Sequence, residues 1–333
     1  MEERLTASDG ELVATVRAGV ATITLNRPAA LNALTHGMVR GLADWLQRWR
    51  TDERIRTIVL RGAGGKAFCA GGDIRALHDL LRTADPMART FFEEEYALDF
   101  AIHTYPKTIV AWLDGIVMGG GMGISQGAAL RVVGERTRMA MPETAIGLFP
   151  DVGGSYFLSR LPGQLGPYLG LVGPTLRAAD AVYCGLADLD VSATPAAAEL
   201  EQLRPAIDAH FRHDSVEAIV ESLAGETQAE FRDWAARTRE ALGRRSPTLL
   251  KVTLQQLRRA TSLSLADCFR MELNLINACM EQGDLVEGIR ALLIEKDNQP
   301  RWNPATLAEV VPAAVHRFFE PRWPATGHPL AHL

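Results

Sequence analysis

IRTIVLRGAGGKAFCAGGD at residues 55–73 decides the reading of this chain. An apolar, β-rich run over 55–60 flows into a glycine-rich loop that closes on Gly71-Gly72-Asp73. The pattern predicts a buried strand whose exit loop can bring main-chain amides close to a ligand, because glycine has no Cβ to stand in the way. TIVAWLDGIVMGGG at 108–121 repeats it, with a strand over 108–113 and a loop ending in Gly119-Gly120-Gly121. Working outward, 12–16 and 20–25 are short β-rich runs separated by Ala18-Gly19, which reads as a hairpin. Met38, Leu42, Trp45, Leu46 and Trp49 then recur at helical spacing behind Thr35 and His36, either of which can cap the helix. A second helix is expected over 86–103, and further short strands over 131–133 and 138–141. Repeated strand–loop–helix units with glycine at the strand exits predict an α/β layered domain with its chemistry on the loops. After residue 194 the β-rich runs stop, and helical stretches follow over 195–211, 216–242 and 249–260. These place an α/β core over 1–200 and a helical region over 201–333, with SATPAAAE as the linker.

The 333 residues carry 35 Lys and Arg against 40 Asp and Glu, a formal charge of −5. That balance argues against a nucleic-acid partner bound by phosphate neutralisation. Cys69, Cys184, Cys268 and Cys279 are scattered without a CxxC pair, so neither a disulfide framework nor a structural zinc is expected. The acidic start MEERLTASDGELVATV has neither a secretion signal's apolar core nor an Arg-rich presequence, and the expected location is cytoplasmic. The most apolar stretch, 108–118, contains Asp114 and then meets the glycine triplet, too short for the ~20 residues of a membrane span.

Two converging amides from AGGD (70–73) and GGG (119–121) would make an oxyanion hole; tight turns with no ligand are the alternative for each. Neither loop fits phosphate binding: RGAGGKAF lacks the upstream glycine and has Ala67 where Ser or Thr is needed, and GGGMG is a poor match to GxGxxG. No nicotinamide cofactor is supported. In MPETAIGLFPDVGGSYFLSRL, Glu143 and Asp151 stand in apolar surroundings, where burial would raise their pKa values toward the range acid/base work needs. The alternatives are a helix start after Pro142 for Glu143 and an N-cap for Asp151. GISQG (123–127) matches the GxSxG nucleophile elbow, but a glycine triplet rather than a strand precedes it and a helix should already run through Ser125. The histidines of HFRH (210–213) and HPLAH (328–332) read as solvated helix and tail residues rather than metal ligands, and Cys69 as buried packing.

Together these motifs resemble the crotonase (enoyl-CoA hydratase/isomerase) superfamily, from LNRPAALNAL (25–34) through FCAGGDIR (68–75). FFEEEY (91–96), MGGGMGIS (118–125), the segment 141–158, SPTLLKVTLQQL (246–257) and EKDNQPRWNPATLAEV (295–310) narrow the resemblance to the 3-hydroxyisobutyryl-CoA hydrolases. It covers nearly the whole chain. The resemblance implies a spiral of ββα units with a helical C-terminal region, and an acyl-CoA whose thioester carbonyl meets the amides of Gly72 and Gly120. It places Glu143 and Asp151 at the acyl group and Glu95 against the substrate. Hydratases carry a second glutamate where this chain has Gly123, so the resemblance favours thioester hydrolysis. Hydration or isomerisation of another acyl-CoA is the alternative, followed by a serine thioesterase using Ser125 and a non-catalytic CoA- or RNA-binding relative. It implies no cofactor, coenzyme A being part of the substrate, and allows a homo-oligomer.

Overall fold

A computed structural model describes residues 3–333. The strands in chain order are β1 (Glu3–Ala7), β2 (Leu12–Arg17), β3 (Val20–Leu25), β4 (Thr57–Gly62), β5 (Ala67–Cys69), β6 (Thr108–Leu113), β7 (Ile116–Met118), β8 (Leu130–Val133), β9 (Arg138–Ala140) and β10 (Leu189–Asp190). They form a seven-stranded sheet in the order β1-β2-β3-β4-β6-β8-β10 and a three-stranded sheet in the order β5-β7-β9. The expected hairpin is present, with β2 and β3 antiparallel from Leu12↔Leu25 to Arg17↔Val20, and β1 extends it at the edge.

From β4 onward the pairing is parallel. The chain alternates sheets: β4, β6 and β8 enter the large one, and β5, β7 and β9 the small one. Each turn of this spiral therefore contributes one strand to each sheet, as the family resemblance implies. The corner between β6 and β7 is Gly115, at φ +81°, where a Cβ would lie 2.2 Å from the Lys66 carbonyl of the preceding corner. Ile116 N donates to that carbonyl at 3.1 Å, and Arg138 N of the next corner donates to Gly115 O at 2.8 Å. A side chain at 115 would separate stacked corners.

The chain divides into two units, each drawn from several segments: Met1–Asp73, Thr90–Ala140 and Thr175–Glu199, and then Ile74–Arg89, Met141–Pro174 and Leu200–Leu333. One division falls between Glu199 and Leu200, and 74–89 and 141–174 group with the C-terminal helices rather than with the strands.

In the first unit the helix His36–Trp49 follows Thr35, whose hydroxyl accepts from Met38 N at 3.2 Å. Its predicted apolar stripe, Met38, Leu42, Trp45, Leu46 and Trp49, is buried. Truncating Leu42 would cost about 2–5 kcal/mol, since a filled core site collapses only partly.

The second unit is helical. The stretch expected to be continuous over 216–242 is two helices, Val216–Ala224 and Ala229–Gly243. Gly225 ends the first, and Glu226 then draws the Gln228 amide onto its side chain at 2.7 Å, taking a donor out of any helical ladder. Likewise the helix expected from 195 begins at Glu199.

Candidate active site

In the first unit β5 and β7 are parallel neighbours, so their C-terminal ends lie side by side and the loops that leave them meet. Gly72 follows β5 and Gly120 follows β7. A Cβ on Gly120 would lie 3.3 Å from the Gly72 nitrogen, and one on Gly71 would lie 3.6 Å from the Gly120 nitrogen. Leu34 N and Asp73 N are bonded into the Leu34–Gly72 bridge. The Gly72 and Gly120 amides donate to no group among the described residues. Gly120 also opens the helix Gly120–Gln126, whose first-turn amides have no partner within the helix. Two such amides side by side are the arrangement that stabilises an oxyanion.

Glu95 belongs to the same unit, on the helix Met87–His103. It is buried, and its Oε1 would lie 2.6 Å from a Gly120 Cβ. Glu95, which the resemblance places against the substrate, thus lies beside the Gly120 loop. Asp99, one turn further along the helix, is also buried.

The second unit holds the other carboxylates. Glu143 opens a 3-10 turn, Glu143–Ile146, directly after Pro142, as its structural alternative anticipated. It is nevertheless only 5 % exposed, and its Oε2 has no hydrogen-bond partner among the described residues. Burial, and secondly the negative charge of Asp151, push its carboxyl well above the ordinary 4.5. Asp151 is 4 % exposed. The helix Gly154–Leu158 is preceded by Gly153 at its N-cap, with no side-chain cap, and the Asp151 carbonyl accepts from Gly154 N at 2.7 Å.

Other candidates are placed elsewhere. Ser125 is fully buried inside the helix Gly120–Gln126, its hydroxyl donating back to Gly121 O at 2.8 Å, so no nucleophile elbow exists. Cys69 is buried, and burial pushes its thiol up to about 12, which leaves no thiolate near neutral pH. His210 is not solvated, as its sequence context suggested. It is buried, with Nδ1 2.7 Å from Ser222 Oγ and Nε2 2.9 Å from Glu226. His328 contacts the Arg270 carbonyl at 3.2 Å. No group of His, Cys, Asp and Glu suited to a metal occurs among the described residues, and no helix among them is long and apolar enough to cross a membrane.

One buried acid near Asp151 in the chain's second unit escaped the sequence reading. Glu272, on the helix Leu265–Gln282, is fully buried and accepts from the Gly153 amide at 2.8 Å, the Ser155 amide at 2.9 Å and the Ser155 hydroxyl. Its signal was available: Cys268, Phe269, Ile276 and Cys279 are buried at helical spacing around it, which sets an acid on an apolar face.

The family model for enoyl-CoA hydratase/isomerase matches residues 20–196 and 189–319. A mitochondrial 3-hydroxyisobutyryl-CoA hydrolase of Xenopus tropicalis is 41% identical, covering 94% of this chain and 90% of its own. The Homo sapiens protein of that name is 39% identical over 90% and 85%. Among solved structures, a carnitinyl-CoA dehydratase from Mycobacterium thermoresistibile superposes with a TM-score of 0.88 at 40% identity, covering 93% of this chain and 96% of its own. An enoyl-CoA hydratase from Rhodobacter sphaeroides gives the same TM-score at 36% identity, covering 94% and 98%.

Proposed function

The chain belongs to the enoyl-CoA hydratase/isomerase family, of crotonase fold, and within that family of acyl-CoA enzymes we propose that it hydrolyses a short 3-hydroxyacyl-CoA, 3-hydroxyisobutyryl-CoA being the expected substrate. In this reading the Gly72 and Gly120 amides take the thioester oxygen. Glu143, three residues past the end of β9, acts on the same thioester. Glu143 either removes a proton from the attacking water or itself attacks the carbonyl carbon; both routes pass through a tetrahedral oxyanion and expel the thiolate of coenzyme A, and in the second route water then hydrolyses the acyl-Glu143 anhydride to free the acid and the carboxylate. Asp151 orients the water or the substrate hydroxyl, and Glu95 binds that hydroxyl. The hydrolysis products are 3-hydroxyisobutyrate and free coenzyme A, and this step would belong to valine breakdown.

The observation that carries the reading is Glu143: a buried carboxylate oxygen without a partner among the described residues, its pKa raised by burial and by Asp151. A buried acid left unpaired is costly for the fold, so its retention points to a reactant. Gly123 supports hydrolysis over hydration, because it puts no acid where hydratases carry their second glutamate.

A second reading is favoured by the dehydratase and hydratase among the similar structures: addition or removal of water on another acyl-CoA. The two separate in one assay. Purified protein with 3-hydroxyisobutyryl-CoA and a thiol reagent should release one free thiol per turnover. Absence of thiol release, with absorbance of a conjugated enoyl thioester changing instead, would overturn hydrolysis.

A further inference from the structure

Asp151 sits on the turn Pro150-Asp151-Val152-Gly153, and the backbone of that turn is unfavourable. Val152 has φ +52° and Gly153 φ +85°. A β-branched residue in the left-handed region persists only where its surroundings impose it. Two buried side chains do so here. Gln256 Nε2 donates to Pro150 O at 2.7 Å, and Glu272 binds the far side of the turn through Gly153 N, Ser155 N and the Ser155 hydroxyl.

The bland reading of Glu272 is a cap for the helix Gly154–Leu158. Its chemistry argues for more. A neutral acceptor would cap two amides, whereas a carboxylate here is fully buried and lies close enough to Asp151 to feel its charge. Burial and that charge outweigh three donors and hold the Glu272 carboxyl up at about 8. A charged acceptor here carries a burial cost that a neutral cap would avoid.

We propose that Glu272 is a positioning residue: it touches no substrate, and it fixes Asp151 by gripping the amides of Gly153 and Ser155. The proposal rests on the assignment of Asp151 to the reaction. Above about pH 8, where the double-mutant cycle is run, ionised Glu272 offers both oxygens as acceptors, whereas glutamine keeps one acceptor oxygen and presents an amide nitrogen where the other is needed, so the turn must shift. A shift of about 1 Å in a reacting group costs on the order of 100-fold in turnover.

The test is a double-mutant cycle on thioester hydrolysis with Glu272→Gln, Asp151→Asn and the pair. Glu272→Gln should lower kcat about 10- to 100-fold while KM stays within about threefold, the mark of lost transition-state geometry. In the Asp151→Asn background it should cost nothing more. Circular dichroism and thermal melting establish that each variant is folded; should Glu272→Gln not fold, Glu272→Asp, too short to span both amides, takes its place in the cycle. A folded variant with full kcat and only a lowered Tm makes Glu272 a cap and overturns the proposal. So do losses that multiply independently. Wild-type turnover in Asp151→Asn removes the role of Asp151 and the proposal with it. A wild type that releases no thiol overturns the hydrolase reading instead, and the cycle is then read on the enoyl thioester.

Discussion

The glycine-loop unit and the helical unit contribute to the proposed chemistry by opposite means. In the first the working groups are main-chain amides, and the space before them stays open because Gly120 has no side chain, whose Cβ would lie 3.3 Å from the Gly72 nitrogen. Their placement follows from parallel pairing of β5 and β7, so it is set by the sheet and costs the fold little. In the second the working groups are side chains, Glu143 and Asp151, both buried acids, and the unpartnered Glu143 is one the fold would be more stable without. The contrast teaches where stability and function conflict. It resides in the carboxylates, and variants on the two sides should separate activity from stability in different ways.

The largest effect is expected at Glu143. Replacing it with glutamine keeps the shape and removes both the base and the nucleophile, so kcat should fall by about 10³-fold or more. Stability should move the other way. The carboxyl is raised well above 4.5 in the folded protein, which therefore binds the proton more tightly than the unfolded chain does. The stability this contributes is complete below 4.5 and is lost as pH rises through the folded value. Glutamine does not titrate, so the Tm of Glu143→Gln relative to wild type should rise between pH 5 and pH 8. A variant that loses activity and also melts lower at pH 8 would mean that Glu143 serves the fold.

Gly120→Ala comes next. The new methyl would lie 2.6 Å from Glu95 Oε1, 3.3 Å from Gly72 N and 3.4 Å from Leu34 Cδ1, in the space before the paired amides. Loss of one oxyanion donor is worth about 10²- to 10³-fold in kcat, and this variant should fall in that range. Gly72→Ala is the internal control: its methyl meets only the Phe91 ring, at 3.4 Å or more, and the activity loss should be smaller. Equal losses at the two positions would break the view that Gly120 is constrained by approach to the paired amides.

What could be read in advance follows the range of the interactions. The Thr35 cap and the stripe of the helix His36–Trp49 are local, within one or two turns, and periodicity finds them. The two glycine loops were visible as strand exits, but their meeting depends on β5 pairing with β7 across 46 residues or more of intervening chain, which no spacing rule encodes. Glu143 and Asp151 stood out as acids in an apolar segment. The turn that carries Asp151 did not, because nothing about Val152 announces a left-handed backbone. Its cause, Glu272, is legible as an acid on a buried helix face, yet its partner amides are 117 and 119 residues away. The break at Gly225 was missed because a continuous apolar period over two helices looks the same as one helix.

Ser125 gives the smallest expected effect and the cleanest check on which unit supplies a nucleophile. The GISQG pentapeptide invites an acyl-enzyme mechanism, which would make the glycine-loop unit a source of side-chain chemistry and erase the contrast drawn above. A serine nucleophile needs a hydroxyl that is exposed to substrate and bonded to a base. Ser125 Oγ is instead spent on Gly121 O and Met122 O, at 2.8 and 3.1 Å, within its own helix. Alanine at 125 removes that hydroxyl together with both bonds, and the carbonyls it leaves retain their helical geometry. Hydrolysis should therefore persist within about twofold of wild type, with stability changed by about 1 kcal/mol, the net worth of a buried hydrogen bond. Turnover that disappears in a folded Ser125→Ala protein, measured as released thiol, would transfer the nucleophile to the glycine-loop helix and leave Glu143 without a catalytic role.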